Sequence, residues 1–143
     1  MYKTEAEFSR AITIKLRACG FHVTKIETGM TSQGVPDLFV QGFGSDFWIE
    51  LKNDNKLKLK DEMRISWRPA QVPWAYNYYL KHHKKKYTYT LVAADSCFYI
   101  IPMTELFSHN KVKKNYVMQF TCLTYVTGFF QDMAKGGDNA TDI

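Results

Sequence analysis

No apolar run in this 143-residue chain approaches the roughly 18 consecutive residues that a membrane-spanning helix needs. The first residues, Met1 to Glu7, also lack the apolar stretch of a secretory signal. Both features point to a soluble protein that stays where it is made, in the cytoplasm. Cysteine is sparse: Cys19, Cys97 and Cys122 are odd in number, widely spaced and set among apolar neighbours. That pattern suits reduced core residues rather than a disulfide framework or a CxxC metal site. His22, His82, His83 and His109 show no metal-ligand spacing, so they are expected to be incidental. There is no GxxxxGK[ST] loop, hence no sign of a built-in ATP motor, and no internal repeat.

What is present is a globule. A hydrophobic content of 45% and an aromatic content of 15% give enough apolar surface to pack one core. The expectation is one domain over residues 1–133, with a disordered tail over 134–143 around Gly136 and Gly137. The formal net charge is +5, and the basic residues bunch at Lys56, Lys58 and Lys60, at Arg64 and Arg68, from Lys81 to Lys86, and from Lys111 to Lys114. Such clusters neutralise phosphates and release counterions, although a lysine run is often only a solvated face. Tyr76, Tyr78, Tyr79, Tyr87 and Tyr89 flank one cluster, either as base-stacking rings or as core and edge-strand aromatics.

Residues 4–19 read as a helix, with Thr4 as N-cap, Glu5 and Glu7 in the first turn, and Lys15 and Arg17 in the last. Phe8, Ile12, Leu16 and Cys19 recur at three- and four-residue steps, and Gly20 ends the run. Residues 21–27 alternate as a strand. A Gly-, Ser- and Thr-rich loop follows from Thr28 to Gly34. Asp37 to Gln41 and Asp46 to Lys52 read as two strands joined by Gly42-Phe43-Gly44-Ser45, short enough for an antiparallel hairpin. Residues 53–68 are polar and basic without an obvious period and read as an exposed excursion. A second helix is expected from Pro69 to His83, then strands at Tyr87 to Ala94 and Cys97 to Ile101. A short helix at Thr104 to Phe107 and a strand-like stretch at Tyr116 to Thr127 complete the pattern. This order predicts an α/β architecture with a mixed sheet flanked by helices.

The chemistry gathers in Gly34-Val35-Pro36-Asp37-Leu38-Phe39-Val40 and Phe47-Trp48-Ile49-Glu50-Leu51-Lys52. Strand side chains alternate between faces, so Phe47, Ile49 and Leu51 share one face while Trp48, Glu50 and Lys52 share the other. Asp37 opens the preceding strand, within reach of Glu50 if the hairpin pairs. Adjacent carboxylates repel and raise each other's pKa unless a cation lies between them. Hard ions such as Mg²⁺ are held by such pairs, and a neighbouring lysine stabilises charge developing on a phosphate. Taken alone, Glu-x-Lys is an ordinary surface ion pair and Pro-Asp an ordinary turn; their order and spacing on one hairpin point to phosphodiester hydrolysis.

Together these stretches resemble the PD-(D/E)XK nuclease superfamily, most closely its VRR-NUC and Holliday-junction-resolvase-like branch. The resemblance covers roughly residues 4–101, with Cys19-Gly20-Phe21 and Trp67-Arg68-Pro69-Ala70-Gln71 as further matching segments. It implies a restriction-endonuclease-like αβββαβ core and a Mg²⁺- or Mn²⁺-dependent endonuclease acting on DNA, with junction or flap DNA as substrate. Asp37 and Glu50 would ligate the metal, with the Leu51 carbonyl as a third ligand. Lys52 would be the catalytic lysine, and Gln71 would approach the site from the second helix. A first-helix glutamate would join the metal. Glu5 lies three before Phe8 and seven before Ile12, on the apolar face's steps, and competes with Glu7, which points elsewhere. Lys56, Lys58, Lys60, Arg64, Arg68, Lys84, Lys85 and Lys86 would bind DNA, and a homodimer would engage two strands. Two other readings stand beside this one. One is a nuclease-fold DNA-binding module without turnover; the other is a basic protein-interaction factor.

Overall fold

The Phe43-Gly44 turn sets the central register. Both residues have positive φ, 54° and 77°, the combination a tight two-residue hairpin demands. It joins β2 (Leu38–Gly42) to β3 (Ser45–Asn53) in the antiparallel register Leu38↔Ile49 and Val40↔Phe47. The connection is thus shorter than the four-residue loop expected, because Gly42 and Ser45 pair with each other. The computed structural model describes residues 1–26, 34–82, 87–103 and 111–141.

Helix α1 (Glu5–Ala18) begins at Thr4, whose hydroxyl accepts the Glu7 N–H. Strand β1 (His22–Lys25) then pairs antiparallel with β2. Beyond the hairpin come β4 (Glu62–Arg64), α2 (Gln71–Lys81), β5 (Thr88–Ala93), β6 (Phe98–Pro102), β7 (Lys111–Lys113), β8 (Met118–Phe120) and α3 (Leu123–Thr141). The main sheet has six strands in the order β1-β2-β3-β5-β6-β8. Only β3 and β5 pair in parallel, Glu50 opposite Thr90, so the sheet is mixed, with β3 in its interior. Helices α1 and α3 cover one face with Phe8, Ile12, Leu16, Val126 and Phe130, all fully buried against Phe47, Ile49 and Leu51. The other face carries a second apolar cluster of Met63, Ile65, Trp67, Val92, Tyr99, Ile101 and Val112.

Three expectations are corrected here. Residues 53–68 are not wholly an exposed excursion: β4 pairs with β7 in a separate two-stranded sheet, and Met63, Ile65 and Trp67 are buried. The stretch from Tyr116 to Thr127 splits into a 3₁₀ turn at Lys114–Tyr116, the short β8, and the start of α3. Its β-branched and aromatic residues favour strand locally, but Val126, Phe130 and Ala134 fall at four-residue steps and bury a helical stripe. The same stripe runs on to Ala134. That residue is buried within α3, which continues to Thr141, and its carbonyl accepts the Ser45 hydroxyl at 2.9 Å. The second helix starts at Gln71, two residues later than expected, with Ala70 as an N-cap that offers no side-chain bond. The loop residues 28–33, His83, and the expected helix from Thr104 to Phe107 lie outside the described residues. None of the described helices is long and apolar enough to cross a membrane.

Candidate active site

β3 outlasts β2. The last ladder pair is Leu38↔Ile49, so the next step along the register sets Asp37 opposite Glu50. There Asp37 replaces a strand partner with its side chain: its Oδ2 accepts the Leu51 N–H at 2.8 Å. Its own carbonyl accepts the Ile26 N–H at 2.9 Å and extends the β1–β2 ladder by one bond. A strand residue turns its N–H and C=O to the same neighbour, so the Leu51 carbonyl faces the Asp37 side. The loop leading to Asp37 is fixed by Gly34, whose φ is +90° and which lies so close to Ala70 that an added Cβ would fall 2.2 Å from the Ala70 carbonyl oxygen. That approach seats the Pro36-Asp37 segment on the start of α2.

From α2 comes Gln71, only 3% exposed. Its amide nitrogen donates a short hydrogen bond to Glu50 Oε2. Its Oε1 accepts from Lys52 Nζ at 3.0 Å and from the Arg68 N–H at 2.9 Å. Lys52 Nζ also stands 3.4 Å from Glu50 Oε2. Gln71 therefore spends both its polar atoms on holding Glu50, Lys52 and the chain before α2 in one cluster. Further along the same face, Trp48 packs edge-on against Trp74 at 5.1 Å and beside Phe39 at 4.6 Å. These rings wall the cluster on one side.

Glu50 is 3% exposed, and its Oε1 is buried with no hydrogen-bond partner. Burial, first, and then the charge and hydrogen bonding of Asp37 push its carboxyl from 4.5 up to about 8, against a smaller opposing pull from Lys52. A cleft of about 410 Å³ opens over the cluster, lined by Glu5, Asp37, Glu50, Lys52 and Arg68. Glu7 is not on its wall: Glu7 Oε2 accepts the Lys3 N–H at 3.1 Å and helps cap α1. Glu5 does not close up with Asp37 and Glu50, and among the described residues no group of three His, Cys, Asp or Glu side chains is gathered as a metal-ligand set. Two close carboxylates, one with an orphaned oxygen and a raised pKa, nevertheless match what a hard divalent cation takes as ligands.

Lys56, Lys58, Lys60 and Arg64 are exposed, and Arg68 is exposed on the cleft wall. Lys84, Lys85 and Lys86 lie outside the described residues. Cys97 is buried, Cys19 and Cys122 are half-buried, and all three are free thiols. The sequence names Trp67 as part of a matching segment without giving it a contact. Trp67 donates its indole N–H to Thr90 Oγ1 at 2.9 Å, on the strand beside Glu50, and so anchors the segment that carries Arg68. Its signal was there to find: Leu57, Leu59, Met63, Ile65 and Trp67 alternate with Lys58, Lys60, Glu62, Arg64, Ser66 and Arg68.

No family model and no curated protein matches the sequence. Solved structures do match the fold. The Holliday junction resolvase Hjc of Archaeoglobus fulgidus superposes with a TM-score of 0.55 at 16% identity, over 78% of this chain and 89% of that one. The bacterial homing endonuclease I-Ssp6803I superposes with a TM-score of 0.51 at 12% identity, over 100% of this chain and 99% of that one. At such identities the likeness is one of architecture, and the fold is restriction-endonuclease-like: a mixed six-stranded sheet flanked by helices.

Proposed function

We propose that this chain is a Mg²⁺- or Mn²⁺-dependent endonuclease that hydrolyses phosphodiester bonds in DNA. The observation that carries it is the meeting of Asp37, Glu50 and Lys52 at one cleft where β3 outruns β2. Asp37 and Glu50 would hold the cation, joined by the Leu51 carbonyl and, from the cleft wall, by Glu5 rather than Glu7. A divalent ion in that position supplies charge neutralisation and a more acidic water. Water attacks the phosphorus in line, the phosphorus–oxygen ester bond breaks, and the leaving oxygen takes up a proton. Lys52 stabilises the charge that builds on the phosphate. Gln71 is buried and keeps Glu50 and Lys52 aligned, which makes it a positioning residue rather than one that touches substrate. Lys56, Lys58, Lys60, Arg64 and Arg68, with Lys84, Lys85 and Lys86, would grip the backbone through counterion release.

Likeness to a junction resolvase favours branched DNA, and a homodimer would offer one cleft to each of two strands. The VRR-NUC branch remains the resemblance carried by the GVPDLFV and FWIELK segments. The test uses supercoiled plasmid and a synthetic four-way junction, with wild type and Asp37→Ala, in Mn²⁺ and in EDTA. Cutting by wild type in Mn²⁺ alone, absent in Asp37→Ala, is the expected result. Equal products from both proteins sink the proposal, and DNA binding in EDTA without any cutting by wild type in Mn²⁺ makes the chain a binding module. Sedimentation decides the dimer.

A further inference from the structure

Arg68 stands apart from the other basic residues of the chain. Of Lys56, Lys58, Lys60, Arg64 and Arg68, it alone lines the cleft that holds Asp37, Glu50 and Lys52. Its backbone is fixed from both sides. The Arg68 N–H donates to Gln71 Oε1 at 2.9 Å, and its carbonyl accepts the Gln71 N–H at 3.0 Å. Before it, the Trp67 indole is anchored on Thr90; after it, the ring of Pro69 limits the backbone. The same Gln71 that holds Glu50 and Lys52 therefore also sets where the Arg68 side chain starts.

That side chain is left free. It is exposed, and among the described residues its guanidinium makes no hydrogen bond and no ion pair, although the carboxylates of Glu5, Asp37 and Glu50 line the same cleft. Lys52 is already engaged: its ammonium donates to Gln71 Oε1 and stands 3.4 Å from Glu50 Oε2, which leaves one of its three protons for a guest. Arg68 keeps all five of its N–H donors, in a planar fork that matches two oxygens of a phosphate. Charge points the same way. Three carboxylates face two basic groups around the cleft; with a divalent cation on Asp37 and Glu50 the deficit becomes an excess of one positive charge, which one phosphodiester neutralises.

We propose that Arg68 binds the scissile phosphate itself, its fork on the two non-bridging oxygens, beside Lys52. The inference rests on the nuclease reading above and separates Arg68 from the lysines that grip the strand farther out. As water adds to phosphorus and the ester bond breaks, Arg68 keeps its protons and holds the charge that gathers on those oxygens. The proton lost by the water and the one taken up by the leaving oxygen both exchange with solvent.

The test reads a single phosphate and needs no cleavage. Titration of the full chain in Ca²⁺, followed by NMR, compares thymidylyl-thymidine, which carries one phosphodiester, with its uncharged methylphosphonate analogue. Wild type is expected to prefer the charged probe by about tenfold or more, the size of one charge-assisted contact. Arg68→Ala should lose that preference, and Arg68→Lys, which keeps the charge without the fork, should restore only part of it. Lys113→Ala, which removes an equal charge from exposed β7, should leave it whole. These side chains are exposed, and thermal melts verify that the variants fold. In cleavage, Arg68→Ala should lower kcat by roughly 10²–10³-fold with little change in KM, since other phosphates still hold the strand. An unchanged preference in Arg68→Ala, no preference in wild type, or a raised KM with kcat intact overturns the inference. Failure of wild type to cut DNA would overturn the nuclease proposal and leave the comparison of probes readable.

Discussion

The two faces of β3 are built on opposite terms. Phe47, Ile49 and Leu51 face α1 and α3 and are at most 2% exposed among other apolar side chains. Trp48, Glu50 and Lys52 face α2, and there burial brings a carboxylate with an unpartnered oxygen and an ammonium 3.4 Å away. The first face gains from removal of apolar surface from water. The second gives some of that gain up, because a buried carboxyl beside another carboxylate is costly until a cation or proton offsets it. Nine residues of one strand thus secure the fold and carry the candidate site, with only the two-residue alternation to keep the two faces apart.

Substitution on each face breaks the comparison in opposite ways. Leu51→Ala should lower unfolding free energy by about 2–5 kcal/mol, seen as an earlier urea midpoint, while the molecules that remain folded still cut. Lys52→Ala should leave the midpoint nearly unchanged and slow cleavage by about 10²–10³-fold. If Leu51→Ala instead abolished turnover without loss of stability, the division of labour between the faces would be wrong.

The pH dependence sharpens it. Glu50 has a folded-state pKa raised from 4.5 to about 8, so between those values the folded protein holds a proton that the unfolded chain has lost. Stability of the metal-free protein should therefore decline as pH rises through that window and level off above it. Glu50→Gln keeps the shape without the charge. Its melting temperature should match wild type near pH 4.5 and exceed it at pH 8.5; parallel curves for the two proteins would contradict the burial argument. Mg²⁺ should stabilise wild type more at the higher pH, since cation and proton compete for the same carboxylates.

The smallest effects separate the two first-helix glutamates. Glu7→Gln should cost about 0.3–1.5 kcal/mol through the weakened cap and leave the Mn²⁺ dependence of cleavage intact. Glu5→Gln should leave melting alone and raise the Mn²⁺ concentration needed for half-maximal rate. The reverse pattern would put Glu7 on the cleft.

Much of this was legible before any coordinates. The α1 boundaries follow from Thr4, the acidic first turn and Gly20, all local signals. The facing of Glu50 and Lys52 follows from alternation along a run bounded by a tight turn. β4 is hard to read from sequence because its alternation is diluted by lysines and by Asp61, and because its partner β7 lies far away in the chain. The start of α3 reads locally as strand because Thr124, Tyr125, Val126 and Thr127 favour it, and only packing against α1 and the sheet overrides them.

By itself the sequence determined which acidic and basic residues are the candidates and which way each strand side chain points, since both are set by residue type and a fixed two-residue repeat. Tertiary structure alone decided that β2 stops one residue short of Asp37, so that its carboxylate caps the Leu51 N–H beside Glu50. It also decided that Gln71, nineteen positions beyond Lys52, closes on both site residues. Those contacts depend on strand ends and helix placement, which arise from packing between distant segments and leave no periodic trace in the chain.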